Sequence, residues 1–368
     1  MSKTEETCLE IHLNALTHNY NYLKSKLKSN TKFLAVIKAF AYGSDAVTTA
    51  KHLEELGADY FAVAYTHEGA LLRDNGITIP IMVLHPQPKN FKTLIERCLE
   101  PSLYSARVLK QFIVAAEEEK QKDYPIHVKF NTGLNRLGFW HNDMDFVTGE
   151  LQKTYAVKAK SILSHLAASE DLSEKEFTEN QIQDFNEITR KFELQIGYKP
   201  WLHLCNTSGV INYPEAHFDM VRCGIGLYGF GNSAEEDENL KPIAKLKSVI
   251  SQIHLIEKDE TVGYNRAYKA SGFEKTATIP IGHADGISRK YGNGIGYVII
   301  NGQKAPIIGN VCMDMIMVNI TNIDCKEGDE VIIFDNEHKA SNFAKKGNTI
   351  SYEVLTAVSQ RVKRVIYR

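Results

Sequence analysis

The sequence has few cysteines, almost no net charge and no long apolar run. Its 368 residues include six cysteines that form no C-x-x-C pair, which argues against a disulfide scaffold and against a zinc cluster. Basic side chains number 43 and acidic ones 45, so the formal charge is −2. A chain without basic excess is not drawn to nucleic acid or to anionic lipid.

The N-terminus also lacks features of targeting. No apolar segment follows Lys3, as a secretory signal requires, and no apolar run approaches the roughly 20 residues that cross a bilayer. We therefore expect a cytoplasmic protein with no metal site, no nucleic-acid partner and no membrane contact.

The first two-thirds of the chain alternates short apolar runs with amphipathic stretches. The runs that predict β-strands are 33–37, 60–64, 79–84, 101–104, 126–130, 160–165, 201–205 and 220–222. Eight strands with helical crossovers in about 230 residues favour a TIM-type (β/α)8 barrel over an open sheet.

The composition changes near Pro242, which follows an acidic, loop-like stretch at 233–241. Beyond it lie six β-branched runs separated by Gly and Asn, namely 246–256, 276–281, 296–300, 305–308, 315–320 and 330–334. We therefore expect an α/β protein of two domains, with the barrel at 1–240 and a mostly-β domain at 241–368.

Two local features refine the C-terminal half. Asn301-Gly302 between two apolar runs predicts a hairpin with a type I′ turn, because both residues tolerate positive φ. The segment 351–362 predicts a helix that closes the chain.

Basic side chains follow several predicted strands of the barrel. Lys38 lies at the end of the first strand, Lys129 at the end of the fifth with Arg136 in the loop after it, His165 at the end of the sixth and Arg222 at the end of the eighth. The carboxyl ends of barrel strands build one surface, and that surface carries the chemistry of such barrels. We therefore expect these side chains to converge on one mouth.

The loops after the last two barrel strands predict a phosphate site. Asn206 and Thr207 follow the seventh strand, and Gly224 and Ile225 follow the eighth. Barrels often bind phosphate there, since small residues let backbone N–H groups approach an anion. A lysine such as Lys38 beside a phosphate cradle indicates an imine with pyridoxal phosphate, because burial beside cations favours the neutral amine.

Six segments of the chain resemble the internal motifs of alanine racemase, in the family's order and across nearly the whole length. They are AVIKAFAYG (35–43), KFNTGLNRLG (129–138), MVRCGIGLYG (220–229), IPIGHADG (279–286), GNVCMD (309–314) and TISYEV (349–354). The resemblance implies a barrel followed by a β domain in a head-to-tail homodimer. It also implies a pyridoxal-phosphate-dependent isomerase that interconverts L- and D-alanine and supplies D-alanine for peptidoglycan.

The same resemblance implies two catalytic bases. Lys38 would hold the cofactor and act as one base, and Tyr264, in the segment VGYNR, would be the other, supplied by the second subunit. A racemase removes a proton from one face of a planar carbon and returns one to the opposite face. Two acid–base groups on opposite faces do this in either direction.

Further roles are implied by the matching positions. Arg222 would face the pyridine nitrogen of the cofactor, which stays unprotonated beside a donor that has no acceptor. His165 would lie beside the catalytic tyrosine, and Asn206 matches a position at the cofactor. The residues that would contact the phosphate are Tyr42, Thr207, Gly224, Ile225 and Tyr352.

On the substrate side, Arg136 and Met313 resemble residues near the substrate carboxylate, with Cys312 and Asp314 as supporting neighbours. Lys129 matches a lysine that is often carbamylated in this family. A carbamate turns that cation into an anion, which could hold Arg136.

The sequence departs from the family pattern at three places. Family members usually have Asn where Phe40 lies, His-Gly where Ser44-Asp45 lies, and Tyr where His283 lies. None of these changes removes a proposed base or the cofactor lysine, but His283 bears on the range of substrates.

Other functions remain open at this stage. A broad-specificity amino acid racemase on the same scaffold would differ only in the room for the side chain. An amino acid decarboxylase of similar architecture would place the carboxylate, rather than the α-proton, across the ring plane. A non-catalytic barrel that carries pyridoxal phosphate would resemble only the first 230 or so residues.

Overall fold

The structure, a computed structural model, describes residues 4–368, and these residues form two compact units. One unit contains residues 17–41 and 46–240, and the other contains residues 4–16, 42–45 and 241–368. The second unit therefore draws on both ends of the chain and on a short segment that follows Lys38.

The first unit is built on eight parallel strands. In chain order after β1 (Cys8–His12), they are β2 (Lys32–Val36), β3 (Tyr60–Val63), β4 (Ile81–Val83), β5 (Glu100–Leu103), β6 (Tyr124–Lys129), β7 (Val157–Leu163), β8 (Trp201–His203) and β9 (Met220–Cys223). They pair in the order β8-β7-β6-β5-β4-β3-β2-β9, every pair parallel.

One helix precedes the eight strands, and a helix follows each of them. They are α1 (Leu13–Ser25), α2 (Ala46–Glu55), α3 (Thr66–Asp74), α4 (Phe91–Glu96), α5 (Ala106–Glu118), α6 (Met144–Gln152), α7 (Lys175–Ile196), α8 (Thr207–Asn212) and α9 (Ala234–Asp237). Parallel neighbours need such crossovers, because a hairpin can join only antiparallel strands.

The sheet closes nearly completely into a barrel. β2 pairs with β9, and the seam between β8 and β9 is bridged by a bond from the Arg222 N–H to the Cys205 carbonyl oxygen at 3.0 Å. The predicted (β/α)8 barrel is confirmed, and each of the eight predicted runs contains or overlaps one barrel strand.

The second unit is mostly β. Its later strands are β10 (Ala244–Val249), β11 (Gln252–Ile256), β12 (Thr261–Val262), β13 (Tyr268–Lys269), β14 (Glu274–Ile279), β15 (Tyr297–Ile300), β16 (Gln303–Ile308), β17 (Ile316–Asn319), β18 (Glu330–Phe334) and β19 (Lys363–Tyr367). Nine strands form one sheet in the order β11-β14-β17-β16-β15-β18-β10-β1-β19, and β12 pairs with β13. Two helices, α10 (Ala340–Lys346) and α11 (Ser351–Ala357), complete the unit.

The end of the chain differs from the sequence prediction. The helix predicted over 351–362 stops at Ala357, and the chain closes with strand β19, which pairs in parallel with β1. Both strands are short and mixed in polarity, so their pairing depends on sequence-distant partners that no local pattern reveals. The run predicted at 246–256 is likewise two strands, β10 and β11.

The predicted hairpin is confirmed. Ile300 and Gln303 pair directly, and the two residues between them, Asn301 and Gly302, have φ of 47° and 76°. Positive φ at both central positions is the signature of a type I′ turn.

Within residues 4–368, helices of membrane-spanning length and apolar character are absent.

Candidate active site

The carboxyl ends of the barrel strands bring the predicted basic residues to one mouth. Lys38 lies two residues beyond β2, Lys129 is the last residue of β6, and Arg136 lies on the loop that follows. His165 lies two residues beyond β7, and Arg222 lies within β9. The four cations act electrostatically on His165, and several of them act on one another, so the five groups form one cluster.

Burial and mutual repulsion push this cluster toward its neutral forms. Burial, and then Arg136, lowers the pKa of Lys38. Burial, and then Arg222, lowers the pKa of Lys129 to about 8. Burial and Arg222 together hold the pKa of His165 well below its ordinary value. A mouth with this much positive potential is suited to an anionic ligand.

Five acceptor atoms from four residues surround the guanidinium of Arg222. Its Nη1 donates to the Nδ1 and the carbonyl oxygen of His203 at 3.0 and 2.9 Å. Its Nη2 donates to the carbonyl oxygens of Ser164 and Leu204 at 2.6 and 2.9 Å, and lies 3.2 Å from Nδ1 of His165. Among the described residues no acceptor faces its Nε–H, which stays available to a ligand.

The loops after β8 and β9 form a cradle around Thr207. The Thr207 hydroxyl oxygen accepts the N–H groups of Gly224 and Gly226 at 3.2 and 3.3 Å. With both lone pairs used, the hydroxyl hydrogen is left to donate outward. A Cβ on Gly226 would lie 2.6 Å from the Thr207 methyl, so only glycine allows this approach.

Asn206 serves chiefly to hold this cradle. Its side-chain oxygen accepts the N–H of Gly209 at 2.9 Å, which caps α8, and the hydroxyl of Ser169 at 2.8 Å. Capping by Asn satisfies one of the free N–H groups of a helix N-terminus.

An unusual turn follows Lys38. Ala39, Phe40, Ala41 and Tyr42 all have φ between 52° and 54°, in the left-handed region that side chains rarely adopt. Glu68 accepts the N–H of Ala39 at 2.7 Å and so holds the turn at its start. Backbone strain of this kind concentrates at functional sites.

In the second unit, Tyr42 and Tyr352 lie together with ring centroids 5.9 Å apart. Gly43 packs directly on α11, since a Cβ there would lie 2.0 Å from the Leu355 carbonyl oxygen. The guanidinium of Arg364 donates to the Gly43 carbonyl at 2.7 Å. These contacts fix the position of Tyr42.

Tyr264 and Met313 line one open groove of the second unit, with a volume of about 610 Å³. Tyr264 is 72% exposed and Met313 59% exposed. Gly263 precedes the tyrosine with a φ of 76°, and Asn310 donates to the Tyr264 carbonyl at 3.1 Å. Two large side chains are therefore exposed at one groove.

Two loops that flank this groove are clamped together. His283 and Ala284 donate backbone N–H bonds to the carbonyls of Cys312 and Met313 at 2.9 and 3.0 Å. Arg361 bridges the carboxylates of Asp285 and Asp314 at 2.6 and 2.5 Å. Asp314 therefore positions the loop that carries Met313.

The chain matches models of known protein domains over most of its length. Residues 11–231 match the alanine racemase N-terminal domain, and residues 243–366 match the alanine racemase C-terminal domain. The chain belongs to the alanine racemase family.

Relatives of known name agree with this assignment. The alanine racemase of Clostridium perfringens strain SM101 is 36% identical and aligns with 97% of this chain and 94% of its own length. That of Thermodesulfovibrio yellowstonii is 33% identical, with 96% of each chain covered. The solved alanine racemase of Clostridium difficile 630 matches with a TM-score of 0.92 at 35% identity, covering 100% of this chain and 97% of its own.

Membership of the alanine racemase family implies pyridoxal phosphate, and the residues present fit it. The cofactor carries a phosphate, for which the Thr207 hydroxyl and the cationic mouth are suited. It carries a ring nitrogen, for which the free Nε–H of Arg222 is suited. It also reacts with an amine, and Lys38 is an amine of lowered pKa at the same mouth.

Reasoning from the sequence missed three residues that shape this family site. Glu68 holds the turn after Lys38, His203 fixes Arg222, and Gln181 joins the loops by bonds to the Ala167 N–H at 2.9 Å and the His165 carbonyl at 3.3 Å. A polar residue inside an apolar strand, as at His203, was the one available signal.

In the described part of the chain no cluster of His, Cys, Asp and Glu could hold a metal ion.

The departures from the family pattern fall at different kinds of position. Phe40 is 51% exposed on the left-handed turn, Ser44 is buried, and His283 is exposed beside the groove of Tyr264 and Met313. Of the three, His283 is the one that lies beside this groove.

Proposed function

We propose that the protein interconverts L- and D-alanine with pyridoxal phosphate as cofactor. One observation carries the proposal: the barrel mouth that holds Lys38, whose pKa burial and Arg136 lower, also holds the acceptor-fixed guanidinium of Arg222 and the cradle of Thr207. A relative from Bartonella henselae, 28% identical with a TM-score of 0.90, was solved with covalently bound pyridoxal phosphate.

When bound, pyridoxal phosphate withdraws electrons from the α-carbon of the amino acid, so that the α-proton becomes acidic. Lys38 would hold the cofactor through Nζ, and the same atom would exchange the α-proton on one face. Tyr264 exchanges it at Oη on the opposite face. Lys38 suits this role because burial and Arg136 favour its neutral amine.

The remaining residues hold the cofactor. The Nε–H of Arg222 would face the ring nitrogen, and His165, whose Nδ1 lies 3.2 Å from Nη2 of Arg222, would help to keep the guanidinium in place. Thr207 would donate its hydroxyl to the phosphate. The other groups that we assign to the phosphate are Tyr42, Gly224, Ile225 and Tyr352, and we assign Asn206 to the cofactor site through the cradle that it holds.

Arg136 and Met313 bind the substrate at its carboxylate side, with Cys312 and Asp314 supporting Met313. We assign Lys129 as a carbamate, formed when its neutral amine adds carbon dioxide and releases a proton to solvent. A pKa of about 8 makes a substantial neutral fraction available near neutral pH. Intact mass under mild conditions tests this assignment, and a bare ammonium would contradict it.

The active form is a homodimer in which Tyr264 reaches the mouth of the neighbouring barrel. The exposure of Tyr264 and Met313 on one groove supports this arrangement. We also place the enzyme in the cytoplasm, where its six free cysteines stay reduced and its D-alanine serves peptidoglycan.

A racemisation assay on L-alanine, with and without added pyridoxal phosphate, tests the function. We expect D-alanine to form and the rate to depend on the cofactor. The ratio kcat/KM should be far higher for alanine than for serine, lysine or arginine. Similar values for all four would favour the broad-specificity racemase, and release of carbon dioxide would favour a decarboxylase.

The Tyr264→Phe variant tests the second base. Without the phenol oxygen, we expect the protein to keep its cofactor but to lose proton abstraction chiefly in one direction. The measurement is α-hydrogen exchange with deuterated water, started from each enantiomer. Tyr155→Phe is the control, because Tyr155 is 86% exposed outside the site. A fully active Tyr264→Phe protein would refute the two-base scheme.

A further inference from the structure

A chain of buried polar side chains leads away from Arg222 across the barrel. One member lies on each of five successive strands: Glu100 on β5, His127 on β6, Ser161 on β7, His203 on β8 and Arg222 on β9. Each is at most 6% exposed. Buried polar groups are costly unless they are fully bonded, so such a row requires an explanation.

The chain runs through the barrel interior. Tyr60 on β3 donates its hydroxyl to Glu100 at 2.9 Å, and its ring lies edge-on to the His127 ring at 6.1 Å. β3 neighbours neither β5 nor β6 in the sheet, and inward-pointing side chains of alternate strands share layers in the interior of such a barrel.

Four hydrogen bonds join the five residues without a gap. The distance is 3.0 Å from Arg222 Nη1 to His203 Nδ1, and 2.7 Å from His203 Nε2 to Ser161 Oγ. It is 2.6 Å from Ser161 Oγ to His127 Nδ1, and 2.9 Å from His127 Nε2 to Glu100 Oε2.

The chemistry of the ends fixes the direction of every bond. Arginine only donates, so Nδ1 of His203 accepts and the hydrogen of this neutral ring lies on Nε2. The Nε2–H of His203 donates to the hydroxyl oxygen of Ser161. The Ser161 hydroxyl in turn donates to its other partner, Nδ1 of His127. His127 therefore carries its hydrogen on Nε2 and gives it to Glu100. The reverse direction would set two donors face to face.

Glu100 is a suitable terminus because its carboxylate only accepts. One carboxylate oxygen accepts hydrogen bonds from the Tyr60 hydroxyl and from Nε2 of His127. The other accepts one from the ammonium of Lys160 at 3.0 Å. His127 and Lys160 together hold the pKa of Glu100 at about 2, against the effect of burial. The chain thus begins at a cation and ends at an anion.

We propose that Glu100 is a positioning residue for the active site, acting on Arg222 through the relay Glu100–His127–Ser161–His203. By fixing the tautomers of both imidazoles, the carboxylate makes Nδ1 of His203 an obligate acceptor. That acceptor holds the guanidinium charged and in one orientation. The catalytic consequence, though not the relay itself, rests on the proposed function.

The relay stabilises the charged guanidinium of Arg222, as a direct ion pair with a carboxylate would. Among residues 4–368 no carboxylate pairs with Arg222, although burial lowers the pKa of that guanidinium to about 10. Aligned hydrogen bonds polarise one another, so the charge of Glu100 is felt at His203 across two intervening residues.

The test measures imidazole tautomers by ¹⁵N nuclear magnetic resonance in the cofactor-free protein. We expect His127 and His203 each to be neutral, with the hydrogen on Nε2 and none on Nδ1. A hydrogen on Nδ1 of His203, or a doubly protonated His127, would overturn the relay. This result needs neither a variant nor racemase activity, so it is independent of whether the proposed function holds.

Two variants then cut the relay. Glu100→Gln places an amide that can donate where the acceptor was, and Ser161→Ala removes the middle link with a smaller change. In either variant we expect the His203 tautomers to become mixed and kcat to fall by about tenfold or more, as when side chains that orient a ligating residue are removed.

Tyr60→Phe is the matched control, because it removes one bond to Glu100 and leaves all four relay bonds. We expect its His203 tautomer and its kcat to match those of the wild type. A folded Ser161→Ala protein with unchanged tautomers and unchanged kcat would refute the positioning role.

Discussion

At Lys38, burial and charge act in the same direction on one amine. The side chain leaves the end of a buried strand, and Arg136 adds repulsion that lowers the pKa of Lys38 further. Glu68 opposes both effects only in part. An amine that loses its proton easily can bond to an aldehyde and can exchange a substrate proton.

We expect Lys38→Ala to lose covalent attachment of pyridoxal phosphate and nearly all racemase activity, because the variant lacks both the amine that would bond to the aldehyde and one of the two proposed bases. The measurement is the mass of the protein after borohydride reduction, which should show the cofactor bound to the wild type alone. Lys122→Ala, at an exposed lysine, should keep both mass increment and activity. A cofactor adduct that persists in Lys38→Ala would contradict the assignment.

The buried ammonium of Lys129 lowers the free energy of unfolding of the protein. Its pKa is about 8 in the fold against an ordinary 10.5, so the folded state disfavours the charged form by about 3 kcal/mol below pH 8. The penalty is full below pH 8 and disappears as pH rises from 8 to 10.5, where the unfolded chain also loses the proton.

In buffer free of carbon dioxide, we therefore expect Lys129→Met to raise the Tm of the cofactor-free protein at pH 7. The difference from wild type should shrink steadily toward pH 10. Lys51→Met, at an exposed lysine, should shift Tm little at either pH. A stabilisation that is constant with pH would indicate packing of the new side chain rather than loss of a strained charge.

At the scale of elements, the segment after Lys38 is unusual because five consecutive residues, 39–43, have positive φ. Four of them carry side chains, and each costs about 1–2 kcal/mol in this conformation. The turn persists because Glu68 holds its first N–H and because Gly43 packs against α11.

We expect Gly43→Ala to destabilise the protein by several kcal/mol, because its Cβ would meet the Leu355 carbonyl at 2.0 Å. Gly57→Ala is a matched control with a similar φ of 89° and nothing within 4 Å, so it should cost only about 1 kcal/mol. Chemical denaturation measures both. Equal losses would show that φ alone, and not the approach to α11, requires Gly43.

At the scale of the whole molecule, the two proposed bases come from different units. Lys38 belongs to the barrel unit, and Tyr264 belongs to the unit formed by residues 4–16, 42–45 and 241–368. A symmetric dimer can combine Lys38 of one copy with Tyr264 of the other, and then each dimer contains two shared sites.

Mixing two inactive variants tests this arrangement. If sites are shared, refolding Lys38→Ala with Tyr264→Phe in equal amounts yields mixed dimers with one intact site. Activity should then recover to about one quarter of the wild-type value, since half of the dimers are mixed and half of their sites intact. Each variant refolded alone is the control. No recovery, with mixed dimers shown to form, would place both bases in one chain.

The barrel was predictable from sequence because its strands are buried on both faces and read as continuous apolar runs. The strands of the second unit were harder to predict from the sequence. β10 and β11 merged into one run, and the pairing of β1 with β19 joins segments more than 350 residues apart. Local patterns do not report such pairings.

By itself, the sequence determined the barrel, the type I′ turn at Asn301-Gly302 and the residues that resemble alanine racemase motifs, because strand burial, turn chemistry and motif spacing are local properties. Only the tertiary structure decided which side chains share charge and hydrogen bonds. Glu68 beside the turn, His203 on Arg222 and Glu100 at the far end of the relay depend on contacts across strands. Their positions follow from closure of the barrel, which no single segment encodes.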